Sequence, residues 1–219
     1  MKMTKSIIWD WNGTLLNDLD FCISTINILL KRRELPLLNR NSYKEVFSFP
    51  VKDYYKAIGF NFKKEDFSIP AKEFIDLYDG GVGNCGLHPS AKDVLEFFRN
   101  QGFRQFVLSA MKQNMLEKTL QQNKIFHFFE GVAGLNDHYA VSKIERGKEL
   151  IQQYQINVES SWIVGDTTHD FEVAEQLGIK CILVADGHQS VQRLKGTNMP
   201  VMEKLLELKS WQEFSINGA

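Results

Sequence analysis

Short apolar runs that end in polar turns alternate along this chain with longer segments whose apolar residues recur every three or four positions. The first run, Ile7-Ile8-Trp9, stops at Asp10 and is followed by the small polar residues Asn12, Gly13 and Thr14. From residue 18 to 34 the period changes: Leu19, Ile23, Ile26, Leu29 and Leu30 fall on one stripe, which predicts an amphipathic helix. Asp18 is placed to cap its start, and Pro36 stops it. Residues 41–79 continue as short helical segments broken by Pro50, Gly59 and Pro70, rich in Phe and Tyr. The stretch Gly80-Gly81-Val82-Gly83-Asn84 is the strongest linker signal in the chain.

Beyond that linker the alternation becomes regular. Helices are expected over 89–101, through Met115, Leu116 and Leu120, over 143–154, 168–177 and 201–208. Strands are expected over 103–109, 128–132, 161–164 and 180–185. Alternating strands and helices imply a parallel sheet covered on both faces, an α/β fold of the Rossmann-like kind. In such sheets ligands bind at the carboxyl ends of the strands, which is where Asp10, Ser109 and Asp166 fall. The expected organisation is an α/β core from residues 1–17 and 86–219, with an inserted helical cap over 18–85.

Composition narrows the partners more than the fold. At 219 residues, with 43% hydrophobic and 24% charged positions, the chain has room for one core plus a small insertion. A formal net charge of −1 gives no bulk attraction for nucleic acid. Cys22, Cys85 and Cys181 are odd in number and form no CxxC pair, which fits a reducing compartment better than a disulfide framework. No signal-peptide core and no membrane-length apolar run occurs, so a cytoplasmic protein with no membrane partner is expected. Residues 31–64 carry nine Lys or Arg against Glu34, Glu45 and Asp53, yet the insertion as a whole holds ten of each sign. Solvated helix faces account for that basic stretch more simply than steering of an anionic substrate does.

Residues 10–14, Asp-Trp-Asn-Gly-Thr, resemble the Asp-x-Asp-Gly-Thr signature of the haloacid dehalogenase-like phosphohydrolases, with Asn12 in place of the second aspartate. Val107-Leu108-Ser109 is similar to the second motif of that family, and Gly165-Asp166 through Asp170 to the fourth. Lys143 resembles the lysine of the third motif; the proline usually beside it is missing, so Lys148 remains a rival. The resemblance implies a magnesium-dependent phosphatase with Asp10 as nucleophile. Asp10, the backbone carbonyl of Asn12 and Asp166 would hold Mg2+, with Asp170 in support. Ser109, Lys143 and Thr14 would bind the substrate phosphate. A small helical cap, as in phosphoglycolate phosphatase-like members, implies a small phosphorylated metabolite as substrate and a monomer or weak homodimer.

The residue types suit that chemistry. A carboxylate is a competent nucleophile that forms an acyl-phosphate, and magnesium prefers hard oxygen ligands. Taken singly, each residue has a plainer reading. Ser109 suits a strand end or helix cap, Lys143 a solvated helix start, and Asp166 and Asp170 a helix cap. His169 reads as a bystander, and Trp9 and Trp11 as packing around the site. Asn12 is the departure that matters, because an amide has no usable pKa for protonating a leaving alcohol or activating water. Three readings stay open on the sequence: a slow phosphatase, another reaction class of the superfamily such as a phosphonatase or phosphomutase, or a catalytically attenuated metal- and phosphate-binding protein.

Overall fold

The computed structural model describes residues 4–135 and 142–214; residues 1–3, 136–141 and 215–219 of the expected core lie outside them. Among the described residues, strands β1 (Ser6–Trp9), β2 (Arg104–Lys112), β3 (Gly131–Leu135), β4 (Ser161–Gly165), β5 (Lys180–Val184) and β6 (Val201–Met202) form one sheet in the order β3-β2-β1-β4-β5-β6. Every pairing is parallel. The order reverses between β1 and β4, so the carboxyl ends of those two strands open on the crevice where doubly wound sheets bind ligands.

Strand alternation splits the core in two. Ile7 and Trp9 face one apolar cluster together with Val107, Val164 and Phe98. Ile8 faces the other with Phe106, Ile163, Val173 and Leu177. Helices α5 (Ala91–Asn100) and α6 (Gln113–Gln122) contribute to the first cluster, and α7 (Lys143–Tyr154) and α8 (Thr168–Leu177) to the second. Each strand therefore buries both its faces, which is why it reads as a continuous apolar run rather than an alternating one. Trp9 and Trp11 are fully buried, and Trp9 donates to Gln105 Oε1 at 3.0 Å. Neither indole is a platform for ligand.

Between β1 and α5 the chain forms α1 (Leu19–Arg32), α2 (Arg40–Val46), α3 (Val51–Ala57) and α4 (Ser68–Gly81). The stripe on α1 buries as its period predicts: Leu19, Ile23, Ile26, Leu29 and Leu30 are all inside. Pro70 does not break a helix; it sits in the first turn of α4, where its missing N–H would have no helical partner. The glycine-rich stretch is only half a linker. Gly80 and Gly81 end α4, and a Cβ on Gly81 would lie 2.5 Å from the Phe21 ring, so glycine lets α4 close onto α1.

Three expected elements shift. β2 runs on past Ser109 to Lys112, with an irregular register against β3 between Leu108 and Lys112. Phe126–Phe128 is a 3-10 turn, and β3 begins only at Gly131. The apolar residues at 201, 205 and 208 have helical spacing, but Val201–Met202 is a strand and Leu205–Ser210 a 3-10 segment. Leu183 and Ala185 donate to the Pro200 and Met202 carbonyls, so the unpaired edge of β5 draws those residues into the sheet. A short helix, α9 (Val191–Lys195), precedes them.

Candidate active site

Asp10 follows the last residue of β1, and its backbone N–H donates to the Val164 carbonyl at 2.8 Å, which fixes it beside the end of β4. Asp166 stands one residue past that end. Residue 13 carries the turn between them: Gly13 has φ +76°, and a Cβ there would lie 2.3 Å from both Asp166 Oδ2 and the His188 ring. Only glycine allows this approach. Carboxylate oxygens of Asp10, Asp166 and Asp170 all lie within 4.8 Å of one another, and all three side chains are buried.

Lys143, at the start of α7, answers part of that charge. Its Nζ donates to Asp10 Oδ1 at 2.5 Å and to Asp170 Oδ1 at 2.6 Å, with 5% of its side chain exposed. The rival Lys148 is 62% exposed and lies 3.8 Å from Glu145, away from the cluster. Asp170 Oδ2 accepts from the Asp166 and Thr167 N–H groups and the Thr167 hydroxyl, so this residue both caps α8 and braces Lys143. Thr14, expected on the phosphate, lies 3.3 Å from Asp10 Oδ2 and 3.1 Å from Asp166 Oδ1, and its hydroxyl orients carboxylates. Ser109 is fully buried; its Oγ accepts from the Met111 N–H at 3.0 Å and donates to Asn12 Oδ1 at 3.3 Å.

Burial pushes the Asp10 carboxyl up, against the pull of Lys143 and with the repulsion of Asp170 and Asp166. Burial pushes Asp166 up as well, opposed by His188 and reinforced by Asp170. Three carboxylates against the Lys143 ammonium leave a deficit of positive charge in a buried, all-oxygen donor set. That deficit and those donors fit a hard divalent cation such as Mg2+.

A second network stands next to the first, and most of it is invisible in the sequence. Asp18 has the position of an N-cap but makes no capping bond to α1. Its Oδ1 accepts from the Gly13 N–H at 2.9 Å and lies 3.1 Å from His188 Nε2. Its Oδ2 accepts from Asn12 Nδ2 at 3.0 Å and from the Tyr78 hydroxyl at 2.5 Å. Burial alone would raise Asp18, but His188, Tyr78 and Asn12 hold its carboxyl down to about 2. Burial would depress His188, and Asp18 instead pushes it up to about 9. The His188 backbone N–H donates to Asp166 Oδ2 at 2.5 Å, joining the two networks. The signal that could have found His188 is its place three residues after Ala185, past a strand ending on the same sheet edge.

The insertion is fastened over this edge. Lys44 Nζ donates to the Ala185 carbonyl at 2.8 Å, Gln189 Nε2 to the Phe47 carbonyl at 3.0 Å, and Arg193 to the Lys44 and Phe47 carbonyls. Phe49 stacks on His169 with centroids 4.6 Å apart, so that histidine touches the insertion rather than the carboxylates. Much of the basic stretch is locally occupied, as with Arg33 on Glu65 and Glu73 and Arg40 on Asp20. No helix is long and apolar enough to cross a membrane, among the described residues.

Comparison with known proteins agrees with the fold. The sequence model of a family described as haloacid dehalogenase-like hydrolase matches residues 7–184. The phosphoglycolate phosphatase of Pseudomonas putida is 25% identical over 117 residues, 52% of this chain and 43% of that one. The chain thus matches less than half the length of that curated relative. Probable phosphatase IndB of Dickeya dadantii is 22% identical over 206 residues, 91% of this chain and 89% of that one. A haloacid dehalogenase-like family hydrolase from Streptococcus pneumoniae superposes with a TM-score of 0.82 at 20% identity, covering 96% of this chain and 99% of the other. At that identity the likeness establishes the fold.

Proposed function

We propose that this chain, which belongs to the haloacid dehalogenase-like hydrolase family, hydrolyses small phosphate monoesters through a phospho-aspartate on Asp10. The observation that carries the reading is the Asp10 carboxylate at the switch point of the sheet, held by Lys143 at 2.5 Å beside Asp166. Asp10, Asp166 and the backbone carbonyl of Asn12 are the residues that would hold Mg2+, with Asp170 behind them. When bound, the ion supplies positive charge to phosphoryl oxygens and screens the nucleophile from them.

Asp10 attacks phosphorus, a P–O bond forms on the carboxylate, and the ester P–O bond breaks. Lys143 neutralises the phosphoryl oxygens and Ser109 orients them by a hydrogen bond. Thr14 keeps the Asp10 and Asp166 carboxylates aligned. Because Asn12 offers no exchangeable acid, the departing alcohol takes its proton from solvent, and esters with good leaving groups are the better substrates. Water then cleaves the phospho-aspartate and restores Asp10. Residues 18–85 act as a cap, a role supported by the Lys44, Gln189 and Arg193 bonds between insertion and core, and a covered, buried site of this kind suits a small metabolite rather than a macromolecule.

The Asn12 amide also favours a second reading, in which metal and phosphate bind but turn over little. A panel of small phosphate esters, assayed with and without Mg2+, tests both. Mg2+-dependent release of phosphate supports the first. Binding of phosphate by calorimetry with no turnover of any ester selects the second.

A further inference from the structure

The side chain of Asn12 is oriented chiefly through its nitrogen. Its Nδ2 donates to Asp18 Oδ2 at 3.0 Å and to the Tyr78 hydroxyl at 2.6 Å, while the Tyr78 hydroxyl donates its own proton to Asp18 Oδ2. Turning the amide over would set its carbonyl oxygen against a carboxylate oxygen 3.0 Å away, two acceptors with no proton between them. The network therefore fixes which end of the amide faces which way. The other end, Oδ1, lies on the side of Ser109, whose Oγ donates to it at 3.3 Å.

We propose that Asp18 and Tyr78 are positioning residues that clamp Asn12 with its carbonyl presented toward Ser109, so that the amide at 12 and the carboxylate at 18 form one matched pair. An amide carbonyl fixed in this way orients a hydroxyl or an attacking water by accepting its hydrogen bond, without taking its proton, as a glutamine does in GTP hydrolysis. Residue 12 is then not an acid that has simply been lost, because a carboxylate placed there would face Asp18 at hydrogen-bond distance.

The pair has a mirror image, reached by making Asn12→Asp and Asp18→Asn together. In that double variant the amide carbonyl at position 18 can keep the Gly13 N–H and His188. The amide nitrogen at position 18 can donate to the new carboxylate at position 12 and to the Tyr78 oxygen, and the Tyr78 proton turns to that carboxylate. Apart from the weak Cys22 contact to Asp18 at 3.6 Å and the charge of the His188–Asp18 pair, which becomes a neutral hydrogen bond, the bonds of the cluster are retained, with the polarity between positions 12 and 18 reversed.

The experiment is a cycle of Asn12→Asp, Asp18→Asn and the double variant, with Tyr78→Phe alongside. Thermal melting is read for all, and turnover for the fastest ester of the panel. Each single change should lower Tm by about 5–10 °C, because each leaves a buried polar group opposed or unpaired, and the double, which still lacks the His188–Asp18 charge pair, should lose less than about half of the sum of the two single losses. Asn12→Asp alone should be no faster than the unmodified protein, while the double should be at least about 10-fold faster than Asn12→Asp. Tyr78→Phe should lower kcat about 3–10-fold at unchanged KM and Mg2+ requirement, since it frees the amide without touching the phosphate. Should Asn12→Asp fail to fold, recovery of folding in the double gives the same answer.

Additive Tm losses, or an Asn12→Asp protein that is as stable as the original and faster by itself, overturn the proposal. Its kinetic arm rests on the phosphatase reading, but the melting cycle does not. A closed cycle with no turnover anywhere keeps the clamp and removes the phosphatase. Additive losses with brisk turnover do the reverse.

Discussion

Two buried carboxylate networks meet at one edge of the sheet, and they are balanced in opposite ways. Around Asp18, each carboxylate oxygen has at least two donors within 3.1 Å, supplied by Asn12, Gly13, Tyr78 and His188. Around Asp10, the Lys143 ammonium reaches only two of three clustered carboxylates, Asp10 and Asp170, and burial pushes both Asp10 and Asp166 up. The satisfied network sets geometry. The unsatisfied one crowds acidic oxygens short of positive charge, a donor set that fits a divalent cation, and crowding of that kind costs stability. Position alone does not tell the two apart: both are buried, both contain aspartate, and the His188 backbone bridges them.

The sharpest way to break the comparison is to remove the carboxylate of Asp10, the proposed nucleophile. Asp10→Asn should lower turnover by at least about 10⁴-fold while Tm in metal-free buffer stays level or rises, since one of three crowded carboxylates becomes neutral. A fall in Tm with turnover retained would reverse the assignment of the two networks.

Lys143→Met strips the ammonium from the crowded side and should cost about 3–5 kcal/mol in denaturant unfolding, partly restored by Mg2+. Lys148→Met, on the exposed rival, should stay within about 0.5 kcal/mol. Equal effects for the two lysines would remove the argument from Lys143.

Asp166→Ala should weaken Mg2+ binding by at least about 10-fold in calorimetry, and Asp18→Asn should leave it nearly unchanged. That pair of titrations separates ligands from scaffold.

The smallest effect is in pH. His188 is pushed up to about 9 by Asp18, so its contribution to stability is complete below the ordinary histidine value near 6.5 and is lost as pH rises through about 9. Asp18, held down to about 2, contributes fully above the ordinary carboxylate value near 3.9 and loses that contribution only as pH falls through about 2. Tm should therefore fall by roughly a few degrees between pH 6.5 and 9, and His188→Gln should remove that slope.

The crowded network is legible in the chain because each member stands at a strand end or a helix start. Asp10 closes Ile7-Ile8-Trp9, Asp166 follows Ser161–Gly165, and Lys143 opens a helix whose bounds the periodicity gives as 143–154. Each position is set by a change of period within a few residues. Lys143 and Lys148 cannot be separated that way, since both lie on the same helix and only the neighbouring strands decide which is buried. The cap expected at Asp18 fails for a related reason. Its place before α1 matches a helix cap, and nothing near it announces Tyr78, 60 residues on, or His188, 170 residues on.

What the sequence by itself determined is therefore the local: apolar runs buried on both faces, the stripe of α1, the glycine at residue 13, and the order in which polar groups reach the sheet edge. The tertiary structure alone decided the partners. It drew Val201–Met202 into a strand because β5 had an unpaired edge, turned Thr14 onto carboxylates, and closed α4 onto α1 so that Tyr78 and Asp18 hold the Asn12 amide. Periodicity is written in neighbours along the chain and fixes which face is buried. A hydrogen bond is chosen among whatever donors and acceptors folding brings within about 3 Å, and those come from anywhere in the sequence.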